Sequence, residues 1–243
     1  MDLFRRGSLI ARSTIFELSR PYSETGAKRQ FVKQLESHGV SVVFDVGANS
    51  GQYATELRMA AYTGRIVSFE PLSGPFALLE RNASKDPLWD CLRCALGDVD
   101  GTISINVAGN AGASSSVLPM MKTHRDAFPP ANYVGTEEVP MHRLDSVANE
   151  LLLPADKVFL KIDVQGFEKH VIAGAQQTVS DRCVGMQLEL SLLPLYEGAM
   201  LIREALDLVY SFGFTLTGLV PGFTDPRDGR MLQADGIFFR KDD

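Results

Sequence analysis

From residue 38 onward, short runs of β-branched and aromatic residues alternate with stretches of helical periodicity, the pattern of βαβ units wound into a parallel sheet. Ser41–Val46 (SVVFDV) predicts a first strand, and a helix follows from about Tyr53. Arg65–Glu70 (RIVSFE) predicts the second strand, Pro75–Asn82 the second helix and Leu92–Leu96 the third strand. Lys157–Asp163 (KVFLKID) has the continuous apolar character of a strand covered on both faces. A helix over Glu168–Val179 leads to a strand over Val184–Leu190, and a helix over Ala199–Phe212 leads to two last strands, Phe214–Leu219 and Gly236–Arg240. A Pro/Gly/Asp-rich connection joins those two, which predicts a terminal hairpin and one antiparallel strand in a mixed sheet.

Between the third strand and Lys157 the alternation lapses for about sixty residues. This stretch holds a predicted hairpin at Thr102–Val107, a Gly/Ala/Ser segment at Gly109–Ser116, a loop with Pro129-Pro130 and a short strand near Glu138–His142. Connections this long inside compact domains are usually lids or binding loops, so residues 101–150 are assigned to substrate selection. With no internal repeat and no linker, residues 38–243 read as one domain behind a leader of residues 1–37.

Composition changes the picture only at the two ends of the chain. The 243 residues, 45% hydrophobic and 22% charged, are those of an ordinary globular protein, and no run is long and apolar enough to span a membrane. The net charge of -6 is unevenly spread: residues 1–33 carry +4, which leaves -10 on the rest. An acidic body repels phosphate backbones, so nucleic acid is not expected as a partner. Drawn as a helix, the leader sets Phe4, Ala11, Ile15, Leu18 and Tyr22 against Arg5, Arg6, Arg12 and Arg20, although Leu9 and Phe16 interrupt the polar face. Packing on the domain is preferred for it, and peripheral contact with an anionic membrane is the alternative. Three cysteines argue against a disulfide framework and for a reducing, cytoplasmic setting. Cys91 and Cys94 have C-x-x-C spacing but lack a second pair of ligands, and read as strand residues.

The segment Phe44-Asp45-Val46-Gly47-Ala48-Asn49-Ser50-Gly51 joins the first strand to a helix, where a doubly wound fold holds its nucleotide. Glu70 ends the second strand, placed to accept hydrogen bonds from ribose hydroxyls. A dinucleotide loop needs a second glycine where this chain has Asn49, and no Gly-Lys-Ser/Thr follows. A nucleoside without phosphate, with Asp45 near its amino-acid portion, suits these residues better, and S-adenosylmethionine meets that description.

Asp-Val-Gly-Ala-Asn-Ser-Gly-Gln-Tyr (45–53), Phe-Glu-Pro (69–71), Ala-Leu-Gly-Asp (95–98), Ser114–Ser116, Arg143-Leu144-Asp145-Ser146 and Leu-Lys-Ile-Asp-Val-Gln-Gly-Phe-Glu (160–168) occur in this order. In that combination the chain resembles the FkbM family of S-adenosylmethionine-dependent methyltransferases, over roughly residues 38–240. The resemblance implies an α/β, Rossmann-like class I methyltransferase fold: a mostly parallel seven-stranded sheet, an antiparallel terminal hairpin and a β-containing insertion before the fourth strand. It implies that Asp45, Gly47, Asn49 and Gly51 line the methionine end of the cofactor, that Glu70 holds the ribose and that Asp98 lies near the adenine. Ala48, Tyr53, Pro71 and Ala95 fall within the same cofactor motifs. Family members mostly methylate hydroxyls of sugars and polyketides. The chain further resembles mycobacterial members that O-methylate deoxysugars, of fucose or rhamnose type, on cell-envelope glycolipids.

Methyl transfer to a hydroxyl requires an aligned oxygen, exclusion of water and one base. Asp163 and Glu189 close neighbouring strands at the carboxyl edge, and both are candidates beside the sulfonium, with structural roles as a helix cap and a strand-end acid as the alternatives. Of the four histidines, His142 lies in the insertion and is the first candidate base, whereas His170 is expected to pack or cap. Glu168 falls in a first helical turn and is read as structural. Gln165 stands where the family more often has Glu, and an amide is neither a base nor a good ligand for a hard cation, so no required metal is expected. Two other acceptors or activities share part of this pattern: a polyketide or macrolide hydroxyl, and nicotinamide-dependent oxidoreduction, against which Asn49 argues. A cofactor-binding module without turnover is the third.

Overall fold

The computed structural model describes residues 24–241, so the residues named above on the leader's two faces lie outside the described residues. A seven-stranded sheet forms the centre: β1 (Val42–Val46), β2 (Arg65–Phe69), β3 (Trp89–Leu92), β7 (Val158–Ile162), β8 (Cys183–Ser191), β9 (Phe214–Pro221) and β10 (Gln233–Arg240). Their spatial order is β3-β2-β1-β7-β8-β10-β9, and β10 runs antiparallel to both of its neighbours. The order reverses between β1 and β7, where an open α/β sheet has its ligand crevice.

Alternation along the strands assigns the two layers. Val42, Phe44, Val67, Leu160, Met186 and Phe238 point to one face. There they meet α5 (Leu144–Leu151), α6 (Glu168–Ala173), α7 (Gln176–Asp181) and α8 (Ile202–Ser211). Val43, Ile66, Phe159, Ile237 and Phe239 point to the other, under α1 (Glu24–Ser37), α2 (Gln52–Met59) and α3 (Ser73–Ala83). Because α1 sinks Val32 and Leu35 into this core, the packed unit begins before residue 38. On the second face the apolar residues occupy only the half of each strand away from the crevice. Two residues further on stand Asp45, Ser68, Lys161 and Gln187, then Asp163, Glu189 and Asp235. One sheet face thus turns from apolar core to polar edge within a single step of its pleat.

The third strand differs from its predicted position. Trp89 is nearly buried and its indole N–H donates to Ser68 Oγ at 3.0 Å, which registers β3 against β2 from Trp89 onward. The chain then leaves the sheet at Arg93. Ala95–Leu96 (β4) instead joins β5 (Gly101–Ala108) and β6 (Tyr133–His142) in a second sheet of order β4-β6-β5. Here β5 pairs across a long connection that contains α4 (Lys122–Ala127) and a 3-10 turn at Pro129–Ala131, not within a local hairpin.

The helix expected over Glu168–Val179 is two helices. Gly174 lies at the break, and it has to be glycine because a Cβ there would stand 1.8 Å from the Gly97 carbonyl oxygen. The restart lets Asp145 accept the Gln177 and Thr178 N–H groups at 3.1 and 2.8 Å, capping α7 from α5. We predict that Gly174→Ala lowers the free energy of unfolding by ~2–4 kcal/mol through forced separation of these backbones. Equilibrium urea denaturation measures it, and a loss under ~0.5 kcal/mol would contradict the packing account.

Candidate active site

A cleft of about 330 Å³ opens over the carboxyl ends of β1, β2 and β7. Its floor is the glycine loop after β1, where Gly47, Asn49 and Gly51 all adopt left-handed backbone with φ of 74°, 48° and 87°. Gly47 is required by the next strand: a Cβ would lie 1.8 Å from the Asp163 carbonyl oxygen. Gly51 is required by packing, since its Cβ would touch the Trp89 ring at 2.7 Å, and it does not line the cleft.

Lys161 holds this floor together. Its ammonium is 3.0 Å from Asp45 Oδ1 as a charge contact, donates to the Gly47 carbonyl at 3.1 Å and lies 3.6 Å from Asp163 Oδ2. Burial alone would depress its pKa. Asp45 and then Asp163 outweigh burial and hold the ammonium above the ordinary lysine value. Asp45 is wholly buried beneath the cleft, facing Lys161, and so does not itself line the methionine end.

Asp163 lines the cleft, and Gln165 clamps it to its neighbour. The Gln165 amide nitrogen donates to Asp163 Oδ1 at 2.8 Å and to Glu189 Oε2 at 2.9 Å, while its oxygen accepts from the Tyr196 hydroxyl at 2.6 Å. An amide supplies two donors on one nitrogen, which a glutamate here would lack. Glu189 lies under this clamp, outside the cleft lining. Burial, then the charges of Asp163 and Glu168, push its carboxyl well above the usual range. Glu168 accepts N–H bonds from Gly166 and Val164, and burial raises it to about 7.

At the other end, Glu70 is buried at the close of β2 and lines the cleft. Its two oxygens accept the Asn49 and Leu72 N–H groups at 2.8 and 2.9 Å, leaving further lone pairs toward the cleft, and burial lifts it to about 7. Leu96, Ile105 and Phe167 form an apolar slot beside it. The insertion roofs the cleft through Gly112–Val117, tied down where Ser116 Oγ donates to the Gln165 carbonyl at 2.7 Å and Asn49 Nδ2 to the Ala111 carbonyl at 3.2 Å. Cys94 also faces the cleft, its thiol pushed up to about 11 by burial and so protonated. Among the lining residues Lys161 is the one cation, and it is already matched by carboxylates. A pyrophosphate finds no free positive charge here. A nucleoside with a cationic substituent fits both ends: hydroxyls at Glu70, a base in the apolar slot and positive charge toward Asp163.

The FkbM methyltransferase domain matches residues 45–216, which includes the loop, Glu70, the insertion and the Gln165 clamp. The chain belongs to the FkbM methyltransferase family. It is 28% identical over 201 residues to the 2-O-methyltransferase NoeI of Sinorhizobium fredii, covering 80% of this chain and 81% of that one. Similar solved structures include the FkbM methyltransferase of Methylobacillus flagellatus (15% identity, TM-score 0.46, 81% of this chain and 43% of that one). Another is the magnesium protoporphyrin IX methyltransferase of Synechocystis (11% identity, TM-score 0.49, 89% and 79%).

Of the residues selected in sequence, this FkbM cleft brings together Gly47, Ala48, Asn49, Tyr53, Glu70, Pro71, Ala95 and Asp163. Asp98 instead pairs with His170 Nδ1 at 2.9 Å, and that ring stacks on Phe167. His142 does not reach the cleft. It ends β6 half-exposed beside Leu96 of β4, which does line the cleft, but its own ring lies 3.5 Å from Asp100, outside the lining. Sequence reasoning passed over Gln187 and Asp235, which do line the cleft. The available signal was the antiparallel last strand, whose first residues lie at the edge where parallel strands end.

Raised carboxyl pKa values make the pH dependence unusual. Folded Glu168 holds a proton up to about 7, so its contribution to stability is complete below ~4.3 and is lost as pH climbs through 7. His124, which burial depresses to about 4, works in the opposite sense between about 4 and 6.5. Comparison with a variant therefore isolates the acid. Glu168→Gln is expected to gain on the native protein by on the order of 2–3 kcal/mol between about pH 5 and 8 in urea unfolding. A difference that does not change with pH would contradict this.

Proposed function

We propose that this FkbM methyltransferase carries the methyl group of S-adenosylmethionine to a hydroxyl of a deoxyhexose, of fucose or rhamnose type, on a cell-envelope glycolipid. The observation that carries the donor is the division of the cleft: Glu70 at one end, Asp163 and Asp235 at the other, and no uncommitted cation among the lining residues. The donor supplies an electrophilic methyl on positively charged sulfur. Asp163, fixed in place by the Gln165 amide and the Lys161 ammonium, suits a positive charge that disappears during the reaction. The Gly112–Val117 segment borders the cleft above that place.

A hydroxyl acceptor accords with the rhizobial relative, which is a 2-O-methyltransferase. The choice of a lipid-linked deoxyhexose rests on the sequence resemblance to glycolipid-modifying members. A reaction at the inner face of the membrane is the setting this implies, with contact through the basic leader as the alternative to its packing on the domain. Among the described residues no helix is long and apolar enough to cross a membrane.

Calorimetry with S-adenosylmethionine and with NAD separates this reading from oxidoreduction; binding of the first and not the second is expected. Phenyl α-L-fucoside and phenyl α-L-rhamnoside should then gain one methyl group by mass spectrometry, and failure of both would overturn the acceptor assignment. Glu70→Ala removes a buried carboxyl that accepts from ribose hydroxyls and should weaken S-adenosylmethionine roughly 10- to 100-fold. Unchanged affinity would remove Glu70 from the binding site.

A further inference from the structure

The hydroxyl must lose a proton as it is methylated, and none of the three acids or bases nominated from the sequence is arranged to take it. His142 and Glu189 do not line the cleft. Asp163 does, but both its oxygens are already engaged, Oδ1 accepting from the Gln165 amide and Oδ2 lying 3.6 Å from the Lys161 ammonium.

Asp235 is placed differently. It enters from β10, the antiparallel strand, directly opposite Glu189 of β8, so its side chain shares the sheet face of Lys161, Gln187 and Asp163. It is half-buried and lines the cleft. A single amide orients it: the Tyr53 hydroxyl donates to Gln187 Oε1 at 3.0 Å, which turns the Gln187 nitrogen toward Asp235. From these positions we infer that Asp235 is the catalytic base, receiving the acceptor's proton on a carboxylate oxygen; this rests on the methyl-transfer reading above. As the hydroxyl oxygen bonds to the methyl carbon, the carbon–sulfur bond breaks with its electron pair left on sulfur. The O–H bond breaks at the same time and its proton passes to Asp235, which later releases it to water.

The charged and titratable surroundings suit that task. Lys161 and Asp163 face Asp235 from β7, Glu189 from β8, and Tyr53 and Glu56 from α2, while its partner on β9 is the apolar Val220. Burial, reinforced by Asp163 and opposed by Lys161 and Gln187, brings the carboxyl up to about 6, near the value at which a base is both ionised and strong at neutrality.

The test uses the full chain with the two phenyl glycosides as acceptors. Asp235→Asn should lower turnover at saturating S-adenosylmethionine at least about 100-fold while affinity for the neutral thioether product by calorimetry stays within about threefold, and Asp235→Glu should recover part of the loss. In the native enzyme kcat/KM should fall below pH about 6, and Gln187→Leu, which removes the amide donor, should move that limb upward. An Asn variant that retains more than about a tenth of native turnover, or that loses affinity for the neutral thioether in parallel, overturns the assignment. If the native protein binds S-adenosylmethionine and methylates neither glycoside, the acceptor proposal fails and the carboxyl titration of Asp235 followed by carbon NMR decides this one. A midpoint near 6 supports it, and a group still ionised at pH 4 overturns it.

Discussion

One buried ammonium organises this protein. Lys161 sits nearly inaccessible in the central strand β7, and its charge has to be answered within reach of its own side chain. Asp45 answers it from β1, the Gly47 carbonyl from the loop and Asp163 from the end of β7 itself. Three elements are thereby fixed relative to one another at the place where the strand order reverses. Gly47 can take up this position only without a side chain, so the ion pair and the glycine depend on each other. Removing either partner of a buried pair leaves the other charge uncompensated, which costs about 3–5 kcal/mol, so the loop's shape is tied to global stability.

The same neutralisation sets the chemistry. With Lys161 spent on Asp45 and Asp163, the remaining acids of the polar edge have no cation of their own. Burial lifts Glu70, Glu168 and Asp235 toward neutrality, with Lys161 opposing it only in part at Glu70 and Asp235, and it lifts Glu189 further. Two amides distribute what charge remains: Gln165 holds Asp163 against Glu189, and Gln187, turned by Tyr53, faces Asp235. A site with unmatched negative charge at one end and a ribose acceptor at the other is prepared for a cationic nucleoside.

Much of this is legible in the sequence because it is local. The SVVFDVGANSG segment, the RIVSFE strand and the KVFLKID strand each declare their period and end on the residue that matters, and the Gly-to-Asn change at position 49 already argues against a pyrophosphate. What escaped is long-range. The third strand starts at Trp89 because an indole bonds to Ser68 across the sheet, and the glycine at position 174 answers the carbonyl of Gly97, some eighty residues earlier. His142 is attractive by its neighbourhood in the chain, and strand pairing does set it beside Leu96 of the cleft, yet its ring lies against Asp100 and not in the lining. Asp235 has no motif around it and reaches the site only because β10 runs backward.

The central claim is that the acidic end of the cleft is built for a positive charge that the reaction removes. Its most direct test is the ratio of affinities for S-adenosylmethionine and for the neutral thioether it becomes, measured by calorimetry from pH 5 to 8. As Asp235 at the acidic end ionises across this range, the preference for the sulfonium should grow with pH. A ratio that stays flat, or one that falls, would contradict the account.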